Sequence, residues 1–173
     1  MIPQPHTPFS TTDPWTQVLN RLWAILEANA AFTSLVKPGN RIKFTDTANQ
    51  NPIKENIQAG DLPEVTIEPT TAQDQWAFAS TSVGCTQVWS VKLATNDMRL
   101  VGAASPLRWI VVKALFEAGD KIGLDFVVST RISPCLLNTY DPVENRGTKG
   151  WTVLCTLTTV LELRKNPDGT LAD

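Results

Sequence analysis

A chain of 173 residues with 42% hydrophobic and 18% charged side chains suits one ordinary domain, and two only if both are unusually small. At this size roughly 70% of the unfolded surface is buried on folding, so neither a metal nor a disulfide framework is required to hold the chain together. A formal net charge of −2, with Arg164-Lys165 as the densest basic pair, speaks against a phosphate-backbone binder, which carries a basic excess; the most apolar run, Trp109-Ile110-Val111-Val112, falls far short of the ~20 residues that span a bilayer.

Residues 1–12 contain Pro3, Pro5, Pro8, Ser10, Thr11 and Thr12 and read as a flexible arm that orders only against a neighbour. No basic region precedes an apolar segment there, so no secretory signal is expected and the chain should stay in the cytoplasm that made it. Residues 13–165 form one domain, and 166–173 a flexible tail. Asp13-Pro14 starts a helix, since Asp caps free amides and Pro is tolerated at the first helical position. Trp15, Val18, Leu19, Leu22, Trp23 and Leu26 then recur at helical spacing and form its apolar stripe. Asn29 is placed to cap a short second turn through Phe32 and Leu35, which Lys37-Pro38-Gly39-Asn40 breaks.

Arg41-Ile42-Lys43-Phe44-Thr45 alternates and predicts a short strand. Residues 46–63 are polar, and a loop of that length is functional or disordered. Glu64-Val65-Thr66-Ile67-Glu68 reads as a strand closed by Pro69, followed by a second polar stretch that contains Trp76. From Gly84, Cys85, Gln87, Trp89, Val91 and Leu93 alternate with more polar residues, the pattern of a long half-buried strand. Ser105-Pro106 opens another helix. Leu107, Ile110, Val111, Ala114, Leu115 and Ala118 form its stripe, and Trp109, Val112 and Phe116 add a second apolar face, so this helix is expected to be covered on more than one side. Gly119-Asp120 ends it. Residues 123–132 read as a strand, residues 135–137 as its continuation and residues 138–150 as a turn-rich connection. Trp151, Val153, Cys155, Leu157, Thr159, Leu161 and Leu163 mark one face of a long last strand, which is a candidate sheet edge for pairing with another molecule. The expected fold is α+β: a mostly antiparallel sheet of about five strands with two main helices packed on it.

The residues offer little chemistry. The only histidine, His6, lies in the flexible arm, a poor place for a base that must sit within hydrogen-bond reach of a nucleophile. Cys85, Cys135 and Cys155 lack the close paired spacing of a metal knuckle or disulfide framework, and read as buried, inert thiols. No phosphate-cradling glycine motif occurs. Asp61, Glu64 and Glu68 are the nearest approach to an acidic cluster, and solvent-facing carboxylates are the simpler reading. No catalytic residue, cofactor or metal is therefore expected, and the chain is not read as an enzyme. Among six tryptophans, Trp15, Trp23, Trp89 and Trp151 fall on apolar faces and read as core. Trp76 lies among Gln73, Asp74 and Gln75 with little periodic context and Trp109 on the less regular face of its helix, and exposed aromatic side chains are enriched at interface centres. Candidate interface residues are thus Trp76 and Trp109, with Asp61, Tyr140 and Arg146 from the two long polar connections, where function usually sits.

Three stretches, Gly60-Asp61-Leu62-Pro63-Glu64-Val65-Thr66-Ile67, then Val88-Trp89-Ser90-Val91-Lys92-Leu93-Ala94-Thr95-Asn96-Asp97 leading into Leu107-Arg108-Trp109-Ile110-Val111-Val112-Lys113-Ala114-Leu115, and Gly150-Trp151-Thr152-Val153, follow the opening helix in a recognisable order. The pattern resembles the tail terminator and tail-completion proteins of tailed bacteriophages over most of residues 13 to 164. The resemblance implies an α+β fold and a homo-oligomeric ring, commonly a hexamer, which caps the tail tube and meets a neck or head-completion protein. It places the chain in the virion after assembly in the host cytoplasm, with no catalysis, specific nucleic-acid binding or membrane. No functional residue of that family maps onto a motif here. A different neck or head-completion connector and a small-molecule binding module are the alternative expectations.

Overall fold

The computed structural model describes residues 14–43, 63–70, 75–95, 105–133, 136–140 and 150–168, with 136–140 and 150–154 described by backbone alone. The order is α1 (Pro14–Ala28), α2 (Ala30–Leu35), a 3-10 turn (Pro38–Asn40), β1 (Arg41–Lys43), β2 (Glu64–Pro69), β3 (Gln75–Phe78), β4 (Ser82–Thr95), α3 (Ser105–Glu117), β5 (Val127–Ile132), β6 (Leu136–Tyr140) and β7 (Gly150–Arg164). The expected α+β fold is present, with seven strands among the described residues.

Two long strands make the spine. β4 and β7 pair antiparallel without a break from Ser82↔Arg164 to Thr95↔Trp151. Each is flanked on its outer side by two shorter strands, one per end. β2 and β3 take the two ends of β4, and β6 and β5 the two ends of β7. β1 adds beside β2 as the one parallel pair among the described strands. The long last strand is therefore central, which corrects the expectation that it forms an edge: its uninterrupted alternation suits a strand paired on both sides as well as it suits an edge.

Alternation decides what is buried. Cys85, Gln87, Trp89, Val91 and Leu93 of β4 and Cys155, Leu157, Thr159, Leu161 and Leu163 of β7 all point inward. Cys85, Trp89, Val91, Leu93, Cys155, Leu157 and Leu161 among them meet Val18, Leu22, Trp23 and Leu26 of α1, Phe32 of α2 and Leu107, Val111 and Leu115 of α3 in one cluster. α2 starts as anticipated, with the Phe32 amide donating to Asn29 Oδ1 at 3.0 Å. Three local expectations change. The segment 123–132 is strand only from Val127, because Gly119 and Gly123 at positive φ, with Ile122 at φ 47°, first turn the chain. Residues 136–140 form β6 against β7 rather than extending β5 or looping. Trp76, read as part of a polar stretch, belongs to β3.

The turn before β5 is tied to α1. Arg21 Nε donates to the Ile122 carbonyl at 2.6 Å, and a Cβ on Gly123 would lie 2.7 Å from Arg21 Nη2. A β-branched residue in the left-handed region costs on the order of 1–3 kcal/mol, and the fully buried Ile122 side chain supplies the packing that offsets it.

The cysteines need one correction. Cys85 is a buried thiol, but Cys155 is disulfide-bonded and not an inert thiol; Cys135 lies outside the described residues. Distance along the sequence misled, because strand pairing brings remote segments together: the β6–β7 ladder ends on Leu136↔Leu154, beside Cys155.

A small polar network crosses the core. Trp89 Nε1 donates to Thr159 Oγ1 at 3.1 Å, and the Thr159 hydroxyl donates to Gln87 Oε1 at 3.4 Å, with Gln87 and Thr159 directly opposite in register. The near-isosteric Thr159→Val leaves the indole N–H and the amide oxygen buried without partners. It is expected to lower unfolding free energy by about 2 kcal/mol, read from urea denaturation midpoints at unchanged slope.

A charged clamp joins β1 to the helices. Arg41 donates to the Val36 carbonyl through Nε and Nη2, and Glu27 pairs with Arg41 at 3.2 Å and Lys43 at 2.6 Å. Burial pushes the Glu27 carboxyl up, but hydrogen bonds and charge from Lys43, then Arg41, outweigh it and hold the pKa below the ordinary value. A depressed folded-state pKa means stability present above the unfolded carboxylate pKa and lost as pH falls through the folded one. Glu27→Gln should accordingly destabilise at neutral pH by under about 1 kcal/mol. Denaturation midpoints measured across the acid range should show the gap to the parent closing as pH falls through that window.

Candidate functional site

The two flanks of the sheet at its β3–β5 end are built differently from the core. On one flank, β3 places Trp76 opposite Cys85 and Phe78 opposite Val83. Directly opposed residues of an antiparallel pair share a face, so both aromatic rings project on the helix side of the sheet. Trp15, at the start of α1, reaches Trp76 with ring centroids 5.2 Å apart, and Phe78 stacks beside Trp76 at 6.4 Å and 13°. Beyond that contact the aromatic row is uncovered, with Phe78 77% exposed.

On the other flank, residues of α3 and β5 together line a cavity of about 840 Å³. Trp109, Val112, Leu115 and Phe116 line it from α3, and Thr130 and Ile132 from β5. Arg108, Arg131 and Asp120 stand around the apolar lining. Trp109 and Phe116 are 63% and 81% exposed. Among the described residues nothing covers Trp109 and Phe116 on the second apolar face of α3, contrary to expectation: β5 is the last described strand at its end of the sheet. A bulge between Val127 and Ser129 also leaves Val128 exposed.

Of the candidate interface residues, Trp76 and Trp109 are surface aromatics as the sequence suggested, but on separate flanks. Tyr140 ends β6, paired with Gly150, so its backbone is in a strand rather than a loop. Asp61 and Arg146 lie outside the described residues. Phe78 and Phe116 complete the two aromatic surfaces. Trp76-Ala77-Phe78 carried a period-2 signal too short to notice, and Phe116 stood on the second face of α3 but was read as covered.

Of the three carboxylates singled out from the sequence, Asp61 lies outside the described residues. Glu64 and Glu68 share one face of β2, as their spacing requires, and Glu68 is ion-paired with Lys92 across the β2–β4 ladder. Among the described residues no group of three or more His, Cys, Asp or Glu side chains is arranged to hold a metal. No helix among them is long and apolar enough to cross a membrane. Comparison with protein-family models and with curated proteins gives no match.

Because the rings of Trp76 and Trp109 lie outside the main core, Trp76→Ala and Trp109→Ala should each cost the folded monomer at most about 1 kcal/mol. Trp23→Ala, at a site 2% exposed, should cost about 3–5 kcal/mol. Parallel chemical denaturation of the three variants gives the comparison.

Proposed function

We propose that this chain is a structural protein that assembles with copies of itself, as a ring-forming tail terminator at a bacteriophage head–tail junction. The observation that carries the self-assembly is the pair of uncovered aromatic surfaces, Trp76–Phe78 and Trp109–Phe116, on opposite flanks of one sheet. Soluble monomers seldom leave large apolar patches open without a binding role. Placement at the end of the tail tube, against a neck or head-completion protein, rests on the resemblance of the β2, β4–α3 and early β7 segments to tail terminators, and the ring of six on the same ground. On this reading the chain turns over no substrate, holds no cofactor and resides in the virion.

A second reading has one observation in its favour: the apolar cavity between α3 and β5, of about 840 Å³, is within the size range of small-molecule sites. A ligand held there would raise the melting temperature in a metabolite screen.

Light scattering on the purified chain, with immunogold labelling of negatively stained phage tails, distinguishes the readings. A discrete multimer and label at the head-proximal end of the tail are expected. A strict monomer absent from particles would overturn the structural role.

A further inference from the structure

We infer that the subunits join head to tail through their sheets, the free edge of β3 in one copy seating against the free edge of β5 in the next. This rests on the self-assembly reading above and names its interface.

The topology supplies two compatible edges. At the β3–β5 end, the local strand order is β3, β4, β7, β5, and among the described residues no strand pairs with the outer side of either β3 or β5. Unpaired edge N–H and C=O groups are templates for another strand. The lengths suit one another, four residues in β3 and six in β5.

The side chains suit each other too. A β3 strand laid beside β5 continues the sheet. Its Trp76 and Phe78, which project on the helix side, then enter the space beneath Trp109 and Phe116 of the neighbour. The occupant fits a cavity that this chain leaves open and lines with apolar groups. Trp76, Phe78, Trp109 and Phe116 are 43%, 77%, 63% and 81% exposed. With about 150–250 Å² for each fully buried aromatic side chain, covering them removes roughly 500 Å² from water, about a third of the ~1,600 Å² of a stable interface. Four aromatic side chains at the centre of one contact are also the composition of an interface hot spot.

The two surfaces differ, so the contact is heterologous, and heterologous contacts propagate into a closed ring when the rotation between copies permits. Pairing like with like, β3 on β3 or β5 on β5, would give a dimer and leave the other aromatic surface open.

Complementation of full-length variants tests this. Phe78→Lys disables the β3 surface and Phe116→Lys the groove; both positions are largely exposed, and Phe78→Ser and Phe116→Ser replace them if either lysine variant shows a lowered melting temperature. By size-exclusion chromatography with light scattering, the parent chain should be a multimer and each variant alone a monomer. An equimolar mixture at high concentration should form a heterodimer and nothing larger, because only one intact contact can be made. A variant that keeps the parent mass on its own, or a mixture that stays monomeric while the parent assembles, would overturn this interface and leave the self-assembly reading standing. A parent chain that is itself monomeric would overturn both.

Discussion

The antiparallel pairing of β4 with β7 is the contact on which the other elements depend. It runs without a break from Ser82↔Arg164 to Thr95↔Trp151, longer than any other ladder here, and it joins segments far apart in the chain. Every other described strand except β1 attaches to one of these two, and the inward residues of both form the floor on which the helices sit. Because the register is set across the whole ladder, a slip of one strand by one residue would turn either Trp89 and Val91 or Leu157 and Leu161 to the wrong face. The hydrogen bonds from Trp89 to Thr159 and from Thr159 to Gln87 form only in the observed register, so they add specificity where apolar packing alone would tolerate alternatives, although Gln87 Nε2 is left without a partner among the described residues.

Short flanking strands on a long spine have a consequence for the surface. β2 and β3 share the outer side of β4, and β6 and β5 that of β7, so no single strand covers a whole side of the spine. The helices cover the middle of the helix-side face. At the β3–β5 end, Trp76 and Phe78 of β3 on one flank and Trp109 and Phe116 of α3 on the other stay exposed. The aromatic surfaces are thus not a failure of core packing. They lie at the margins of the core, left exposed by the other described residues, and it is on this exposure that the proposed self-assembly rests.

Attachment of the helices is partly electrostatic. Arg41 and Lys43 extend from β1 toward Glu27, while Arg41 lies over the Phe32 ring and Lys43 over the Trp23 ring, each at 5.6 Å. The long aliphatic stems of these residues cover apolar surface as their charged heads pair. Arg21 performs the corresponding task at the other end of the helical layer by holding the turn at Ile122. All three cations are thus held by contacts within the fold.

Much of the fold was legible because local periodicity reports which side of an element is apolar. The stripes of α1 and α3, the inward residues of β4 and β7, the Asn29 cap and the proline-led start of α3 follow from residue spacing alone. Trp76 and Trp109 stood out as aromatics off those faces. Periodicity does not report partners. Whether β7 is an edge or the centre, whether Cys155 bonds or stays a thiol, and whether the second face of α3 is covered all depend on which distant segments meet. So did the recognition of β3, whose four residues are too few to carry a pattern of their own and which exist as a strand because β4 is beside them. The sequence by itself determined the class of fold and the identity of the core. Only the tertiary structure decided which edges and aromatic surfaces are left open, because exposure is a property of what the rest of the chain fails to reach.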